Sequence, residues 1–99
     1  MAKIVWTEPA LGDLDAIADY IAIENPQAAA GLVQRVFRHV EQLRKHPRSG
    51  SELPELERSK YRQIIEQPCR VLYRYDGKST VYILHILRFE QSIRKRRLA

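Results

Sequence analysis

The sequence predicts an α+β fold in which an antiparallel helical hairpin packs on one face of an antiparallel sheet, in the order β-α-α-β-β-β. Apolar residues recur at helical spacing in the first half of the chain and at alternate positions after residue 60. Junctions that contain proline or glycine separate elements of ordinary length. The 99 residues suit one domain, so we expect a single domain over residues 1–99, with the second face of its sheet open to partners.

The first two elements are a short strand and a helix. Residues 3–7 end in the β-prone run Val-Trp-Thr, which predicts the strand. Thr7 suits the N-cap of the helix, because Glu8 and Pro9 follow it in the first turn. The apolar stripe of this helix comprises Leu11, Leu14, Ile17, Ala18 and Ile21. We expect the helix to end near Glu24.

A second helix begins at Asn25-Pro26, where asparagine is the N-cap and proline the first helical residue. Its apolar stripe comprises Leu32, Val33, Val36, Phe37, Val40 and Leu43. The helix is expected to end before Pro47. Because the joint between the helices is so short, they must fold back on each other as an antiparallel hairpin.

Three strands are predicted in the second half, over Tyr61–Gln67, Cys69–Asp76 and Thr80–Leu87. Pro68 cannot donate to a central ladder, so we place it at a turn between the first two. Asp76-Gly77 is a strong hairpin signal between the second and third. The result is an antiparallel meander.

Two further segments have no clear period. Residues 51–60 contain a proline and five charged residues, and we expect an irregular surface segment held by Leu53 and Leu56. Residues 90–98 are strongly basic and predict either a short helix or a frayed tail. We expect that tail to bury Ile93 only in part.

The charge is concentrated at one end of the chain. The net charge is +5, and residues 1–50 carry six bases and six acids, so the whole excess lies in residues 51–99. The first 24 residues are acidic instead. This distribution suggests a polyanionic or acidic partner that binds the C-terminal half, although a basic tail that only keeps the domain soluble would give the same count.

Several classes of function are disfavoured. No apolar run approaches the length of a membrane span, and no secretory signal is evident, so we expect a cytoplasmic protein with no membrane partner. One cysteine, Cys69, excludes an intramolecular disulfide. His39, His46 and His85 do not pair at metal-ligand spacing, and we interpret His85 as a hydrogen-bonded core residue. We expect no cofactor and no metal.

Short motifs in order along nearly the whole chain resemble the RelE/ParE superfamily of toxins from type II toxin–antitoxin pairs. They are Trp6-Thr7-Glu8-Pro9-Ala10, Asp13-Leu14, Ala18-Asp19-Tyr20-Ile21, Asn25-Pro26, Leu43 with Pro47 and Gly50, Tyr61-Arg62, Cys69-Arg70-Val71-Leu72-Tyr73-Arg74 and His85-Ile86-Leu87-Arg88. The Asp-Leu and Asn-Pro motifs of the hairpin look more like the ParE branch than the RelE branch.

The resemblance to ParE implies a toxin that poisons DNA gyrase by stabilising its cleaved-DNA complex, and that performs no catalysis itself. It also implies neutralisation by a cognate antitoxin, which we expect to be acidic and partly disordered. ParE-like toxins use their C-terminal region against gyrase, which places target binding in the basic segment 88–99. The candidate residues are Arg88, Arg94, Lys95, Arg96 and Arg97. Their charge also suits contact with nucleic acid inside the gyrase complex.

The resemblance to RelE implies a different activity, ribosome-dependent cleavage of messenger RNA. Arg62, Arg70 and Arg88 match basic positions of that branch, and arginine suits a scissile phosphate. The second base of the ribonuclease type is replaced by Ile64, its C-terminal tyrosine has no match, and arginine is a poor general acid or base.

Two interpretations of the sheet face remain open. Arg70 and Arg74 lie on one face of their predicted strand, flanking Leu72, which makes both candidates for antitoxin binding. A merely solvated sheet face would show the same pattern. A nontoxic basic module that binds nucleic acid is the second alternative for the function of the whole chain.

Overall fold

The computed structural model describes residues 1–91 and 93. Two helices pack on one face of a five-stranded sheet, which confirms the predicted α+β architecture. The elements follow the predicted order with one addition, a two-residue strand at the start of the segment expected to be irregular. The elements are β1 (Lys3–Trp6), α1 (Glu8–Ala22), α2 (Pro26–Glu41) with a 3₁₀ turn (Gln42–Arg44), β2 (Ser51–Glu52), β3 (Tyr61–Glu66), β4 (Cys69–Tyr75) and β5 (Thr80–Arg88). The strand order is β1-β5-β4-β3-β2.

Both helices begin where their caps predict. The Thr7 hydroxyl accepts the Ala10 amide at 3.4 Å and donates to the Ile83 carbonyl at 2.7 Å, so the cap also ties α1 to β5. The Asn25 side chain accepts the Ala28 amide at 3.0 Å at the start of α2. α1 ends two residues before Glu24. The short joint makes the helices an antiparallel pair, as expected.

The sheet is mostly antiparallel, as predicted, but it contains one parallel pair that the sequence did not indicate. β1 pairs with β5 in parallel, from Lys3 opposite Thr80 to Trp6 opposite Ile83. These strands are separated by most of the chain, and no hairpin turn dictates their relative direction. The expected meander of β3, β4 and β5 is confirmed, and the side chain of Asp76 accepts three backbone amides in its second turn.

The sheet buries apolar side chains on both faces. The main core lies between the helices and the sheet, with Leu32, Val36, Val71, Tyr73 and Ile83 among its most buried members. A second cluster covers part of the outer face, the face turned away from the helices, and it comprises Leu53, Tyr61, Leu72, Leu84, Leu87 and Ile93. The outer face is therefore not simply open to partners. Leu53 and Leu56 from the segment over residues 53–60, and Ile93 after β5, cover part of it.

A bulge in β5 changes which residues face the helices. Tyr73 pairs with Ile83 but its neighbour Leu72 pairs with His85, so one extra residue is accommodated in β5. Asp13 of α1 accepts the amide of Ile86 at 3.0 Å and the ring nitrogen of His85 at 2.9 Å. His85 is buried and hydrogen-bonded, as the sequence predicted. The Asp13 carboxylate thus anchors the first helix on the central strand.

Candidate functional site

Arg88 stands at the end of β5 on the helix side of the sheet. Its guanidinium carbon lies 5.5 Å from the centre of the Tyr20 ring, and its Nε lies 3.2 Å from a Glu90 carboxylate oxygen. The side chain stays 41% exposed. Tyr20 and Glu90 thus hold the Arg88 side chain in place, and its exposed part remains accessible to a partner.

A shallow groove of about 220 Å³ lies beside this arginine, between α1 and the end of β5. Its lining includes Ile17, Tyr20, Arg88 and Gln91. Tyr20 is 66% exposed, and Ile23 at the end of the same helix is 80% exposed. We call Tyr20, Ile23, Arg88 and Gln91 the Arg88 corner. Exposed aromatic and aliphatic groups beside an arginine are typical of the residues that anchor protein–protein interfaces.

Arg62 lies on the same face of the sheet as Arg88, but its hydrogen bond stabilises the fold. Its Nη1 donates to the Gly50 carbonyl at 2.7 Å, and the Gly50 amide donates to the Tyr73 hydroxyl at 2.9 Å. Arg62 is opposite Tyr73 on β4, whereas Arg88 is opposite Cys69. Four residues of strand correspond to about 13 Å, so Arg62 and Arg88 do not form one cluster.

Arg70 lies on the outer face and is buried, with 5% of its surface exposed. Its guanidinium forms a two-pronged ion pair with Glu55, in which Nη1 donates to one carboxylate oxygen at 2.9 Å and Nη2 donates to the other. Nη1 also donates to the Gln63 side chain at 3.0 Å and Nη2 to the Gln91 carbonyl at 2.6 Å. The three arginines of the predicted ribonuclease set are therefore not brought together.

Arg74 shares the outer face with Arg70, and Leu72 lies between them, as the strand period predicted. The Arg74 guanidinium carbon lies 4.5 Å from the centre of the Tyr82 ring. The residue is half-buried, so part of its charge reaches solvent. The other predicted target-binding residues, Arg94, Lys95, Arg96 and Arg97, lie outside the described residues.

A sequence model of the ParE toxin of the type II toxin–antitoxin system parDE matches residues 4–93. The chain belongs to the ParE toxin family. This ParE-family chain is similar to a protein named Toxin RelE2 from Caulobacter vibrioides, with 34% identity over 86 residues. The match covers 87% of this chain and 93% of the relative.

Two solved structures resemble this ParE-family chain. A chain of the chromosomal ParDE toxin–antitoxin system from P. aeruginosa has a TM-score of 0.73 and 33% identity, and the match covers 91% of this chain and 98% of the other. A chain of the RelBE2 toxin–antitoxin complex from Mycobacterium tuberculosis has a TM-score of 0.58 and 26% identity, and the match covers 88% and 96%. These names come from both branches of the superfamily, so the protein is a type II toxin of the ParE/RelE family.

Sequence reasoning missed Glu55 and Tyr20. Glu55 lies in the segment read as irregular surface, and no local pattern marks it as the partner of an arginine 15 residues later. The ion pair with Arg70 lowers the pKa of Glu55 from 4.5 to about 2. Tyr20 belongs to a family motif and lies off the apolar stripe of α1, which is the one signal that could have placed it in the site.

The described part of this ParE-family chain has no grouping of side chains for a metal site and no helix suited to a membrane span. In residues 1–91 and 93, no three His, Cys, Asp or Glu side chains are grouped so that they could hold a metal ion. No helix in that part of the chain is long and apolar enough to cross a bilayer. Cys69 is buried, and burial raises the pKa of its thiol, so this cysteine lacks the features of a reactive nucleophile.

Proposed function

We propose that this toxin inhibits DNA gyrase by binding it through the Arg88 corner and the basic residues 94–97, without cutting RNA. The family match over residues 4–93 supports the ParE branch and, with it, gyrase as the target. The Arg88 corner is a suitable binding surface, because an accessible guanidinium lies beside exposed apolar groups there. Binding to a protein–DNA complex requires such a surface and no general base.

The environment of Arg70 is the observation that carries this proposal. A ribonuclease of the RelE type needs its arginines directed at one phosphate. Arg70 is instead buried on the opposite face from Arg62 and Arg88, and its charge is already neutralised by Glu55. To reach a phosphate it would have to exchange a desolvated ion pair for a new one, which is costly when the partner carboxylate is left behind.

Ribosome-dependent cleavage of messenger RNA remains the second candidate. It is favoured by the relative named Toxin RelE2, which is 34% identical over most of both chains. Gyrase poisoning leaves cleaved DNA and requires gyrase, whereas the ribonuclease activity cuts messenger RNA and requires ribosomes. One experiment therefore separates the two functions.

We also propose that a cognate antitoxin, acidic and partly disordered, neutralises this toxin. The two solved neighbours are parts of a ParDE system and of a RelBE2 toxin–antitoxin complex, and the net charge of +5 suits an acidic partner. Arg74 is accessible enough to contact such a chain. Arg70 is already paired within the toxin, so we keep Arg74 alone as the antitoxin contact on β4.

The test compares gyrase with translating ribosomes. The purified toxin is added to a supercoiling assay and to an extract that translates a defined messenger RNA. We expect inhibited supercoiling or accumulated cleaved DNA, with the message intact. Arg88→Gln should weaken the effect by about 10- to 100-fold, because a charge-assisted contact is worth about 1.5–3 kcal/mol.

Arg38→Gln is the matched control, because Arg38 is exposed on α2, on a different element from the proposed surface. It should leave gyrase inhibition close to that of the wild type. Codon-specific cuts in the message with gyrase unaffected would contradict the proposal and favour the RelE-type activity. Nucleic-acid binding with neither effect would favour the nontoxic basic module.

A further inference from the structure

The chain turns after β5, and two described residues beyond the turn, Gln91 and Ile93, contact groups on the outer face of the sheet. The Gln91 amide donates to the Arg88 carbonyl at 2.9 Å, and the Gln91 side chain accepts the Arg88 amide at 2.9 Å. Two residues later Ile93 is buried in the outer cluster with 3% exposure. Ile93, which directly precedes the basic residues 94–97 in the sequence, is therefore anchored on the outer face.

Glu55 and Arg70 supply polar contacts at that point. Arg70 donates to the Gln91 carbonyl, and Glu55 accepts the Ile93 amide at 3.3 Å. One buried ion pair thereby joins three segments that are distant in sequence: β4, the segment over residues 53–60, and the chain after β5. Two of its contacts are with the backbone of the last segment, so they hold the path of the chain rather than a particular side chain.

The burial of Arg70 and the partial burial of Glu55 indicate that the pair has a specific role on the outer face. Strand positions on a solvated face usually carry side chains that reach water, whereas Arg70 is buried and donates hydrogen bonds through both terminal nitrogens. A buried ion pair contributes little net stability compared with apolar groups of the same shape. Apolar side chains in place of Glu55 and Arg70 could not form these directional contacts to two backbone groups.

We propose that Glu55 and Arg70 are positioning residues, which hold the chain at Gln91 and Ile93 on the outer face and through this anchor determine how the basic residues 94–97 act on the target. This inference rests on the proposed role of the C-terminal segment in toxicity. It assigns Arg70 to the positioning of the segment instead of to a phosphate or an antitoxin. It also gives a function to Glu55, to which the sequence assigned none.

The test is a double-mutant cycle between the ion pair and the tail. Glu55→Gln keeps the shape of the side chain but removes its charge and one acceptor oxygen. A second variant replaces Arg94, Lys95, Arg96 and Arg97 with glutamine and leaves Arg88 in place, so that residual activity can be measured. Growth arrest is scored by the inducer level required, without antitoxin, and gyrase inhibition is measured on purified protein.

We expect Glu55→Gln to weaken both activities by about tenfold when the tail is basic and to have little further effect when the tail is neutral. Amide exchange at Ile93 should be faster in Glu55→Gln. Glu41→Gln is the matched control, because it removes the same charge from an exposed ion pair with Arg44. The control should leave the activities and the exchange at Ile93 unchanged.

Equal loss of activity from Glu55→Gln in both tail backgrounds would overturn the proposal, because it would indicate a purely structural role. Full activity despite faster exchange at Ile93 would also overturn it, as would a neutral tail that remains fully toxic. Should Glu55→Gln fail to fold, Arg70→Lys repeats the cycle, since lysine keeps the charge but cannot hold all four acceptors. Growth arrest without any effect on gyrase would contradict the proposed target alone.

Discussion

Arginine side chains on the sheet of this toxin have four different environments. Arg62 is bonded to a backbone carbonyl, Arg70 is buried in an ion pair, Arg74 lies over a tyrosine ring, and Arg88 is held by Tyr20 and Glu90 at an exposed corner. Residue type and strand position alone made all four candidates for a binding role. Only the contacts of each guanidinium separate Arg74 and Arg88, which remain accessible to a partner, from Arg62 and Arg70, whose donors are engaged within the fold.

Two glycines allow a direct test of local packing. A Cβ added at Gly50 would lie 2.6 Å from the Gln63 carbonyl oxygen and 2.6 Å from the Tyr73 hydroxyl, whereas at Gly12 nothing lies within 4 Å. We expect Gly50→Ala to lower the free energy of unfolding by about 1–3 kcal/mol. Gly12→Ala in α1 should raise it by about 1 kcal/mol. Urea denaturation measures both, and effects of the same sign would contradict the described packing.

Glu55 predicts a specific response to acid. Its pKa is lowered from 4.5 to about 2 by the Arg70 ion pair, so folding is favoured by the charged form. The stability contributed by this group is complete above its unfolded pKa and is lost as the pH falls towards its folded pKa. We expect the free energy of unfolding to fall between about pH 4.5 and about 2 more steeply in the wild type than in Glu55→Gln.

Denaturant titrations at several pH values measure that slope for each protein. Glu57→Gln is the control, because Glu57 is exposed in the same segment. It should show the slope of the wild type. An identical acid response in Glu55→Gln and the wild type would contradict the ion pair.

At the scale of elements, the outer face departs furthest from what the sequence indicated. The sequence predicted an uncovered sheet face and a tail that buries Ile93 only in part. The structure places Leu53 and Ile93 in an apolar cluster on that face, with 0% and 3% exposure. A strand that is apolar on both faces, such as β5, must be covered on both sides. The helices cover one side, and Leu53 and Ile93 from the two segments without a clear period help to cover the other.

This cover predicts how the C-terminal segment responds to mutation. Ile93→Ala should lower the free energy of unfolding by about 2–4 kcal/mol, because it empties a buried position. Ile23→Ala is the control, since Ile23 is 80% exposed, and its effect should stay within about 0.5 kcal/mol. Thermal or urea melts measure both changes.

It follows that truncation after Phe89 is a poor test of the target-binding surface. That truncation also removes Gln91 and Ile93, which pack on the sheet. Neutralising the tail charges while keeping the chain is the cleaner change. A Phe89 truncation as stable as the full chain would contradict the packing of Ile93.

At the scale of the whole molecule, charge and apolar surface suggest different contributions to antitoxin binding. The net charge of +5 attracts an acidic partner at a distance, but salt screens such attraction. An antitoxin that also covers Tyr20 and Ile23 of the Arg88 corner gains apolar contacts that salt does not weaken, and it blocks the proposed target surface. We expect both electrostatic attraction and apolar contacts to stabilise the complex.

We expect the antitoxin to be a small acidic protein encoded next to this toxin, and its co-expression should abolish toxicity and give a complex that survives moderate salt. Size-exclusion chromatography across a salt series measures its survival, and Arg74→Gln should lower the salt dependence without dissolving the complex. Complete dissociation between low and physiological salt would indicate a purely electrostatic association. Toxicity unchanged by the neighbour would exclude that protein as the antitoxin.

The sequence by itself determined the class of the fold and most of its element boundaries, because those depend on local patterns. Thr7 and Asn25 cap the helices within a few residues, and Asp76-Gly77 closes a hairpin between adjacent strands. Tertiary structure alone decided the parallel pairing of β1 with β5, the cover of the outer face and the pairing of Arg70 with Glu55. Each of these joins segments that are separated along the chain, and the residues involved carry no mark of their partners until packing brings them together.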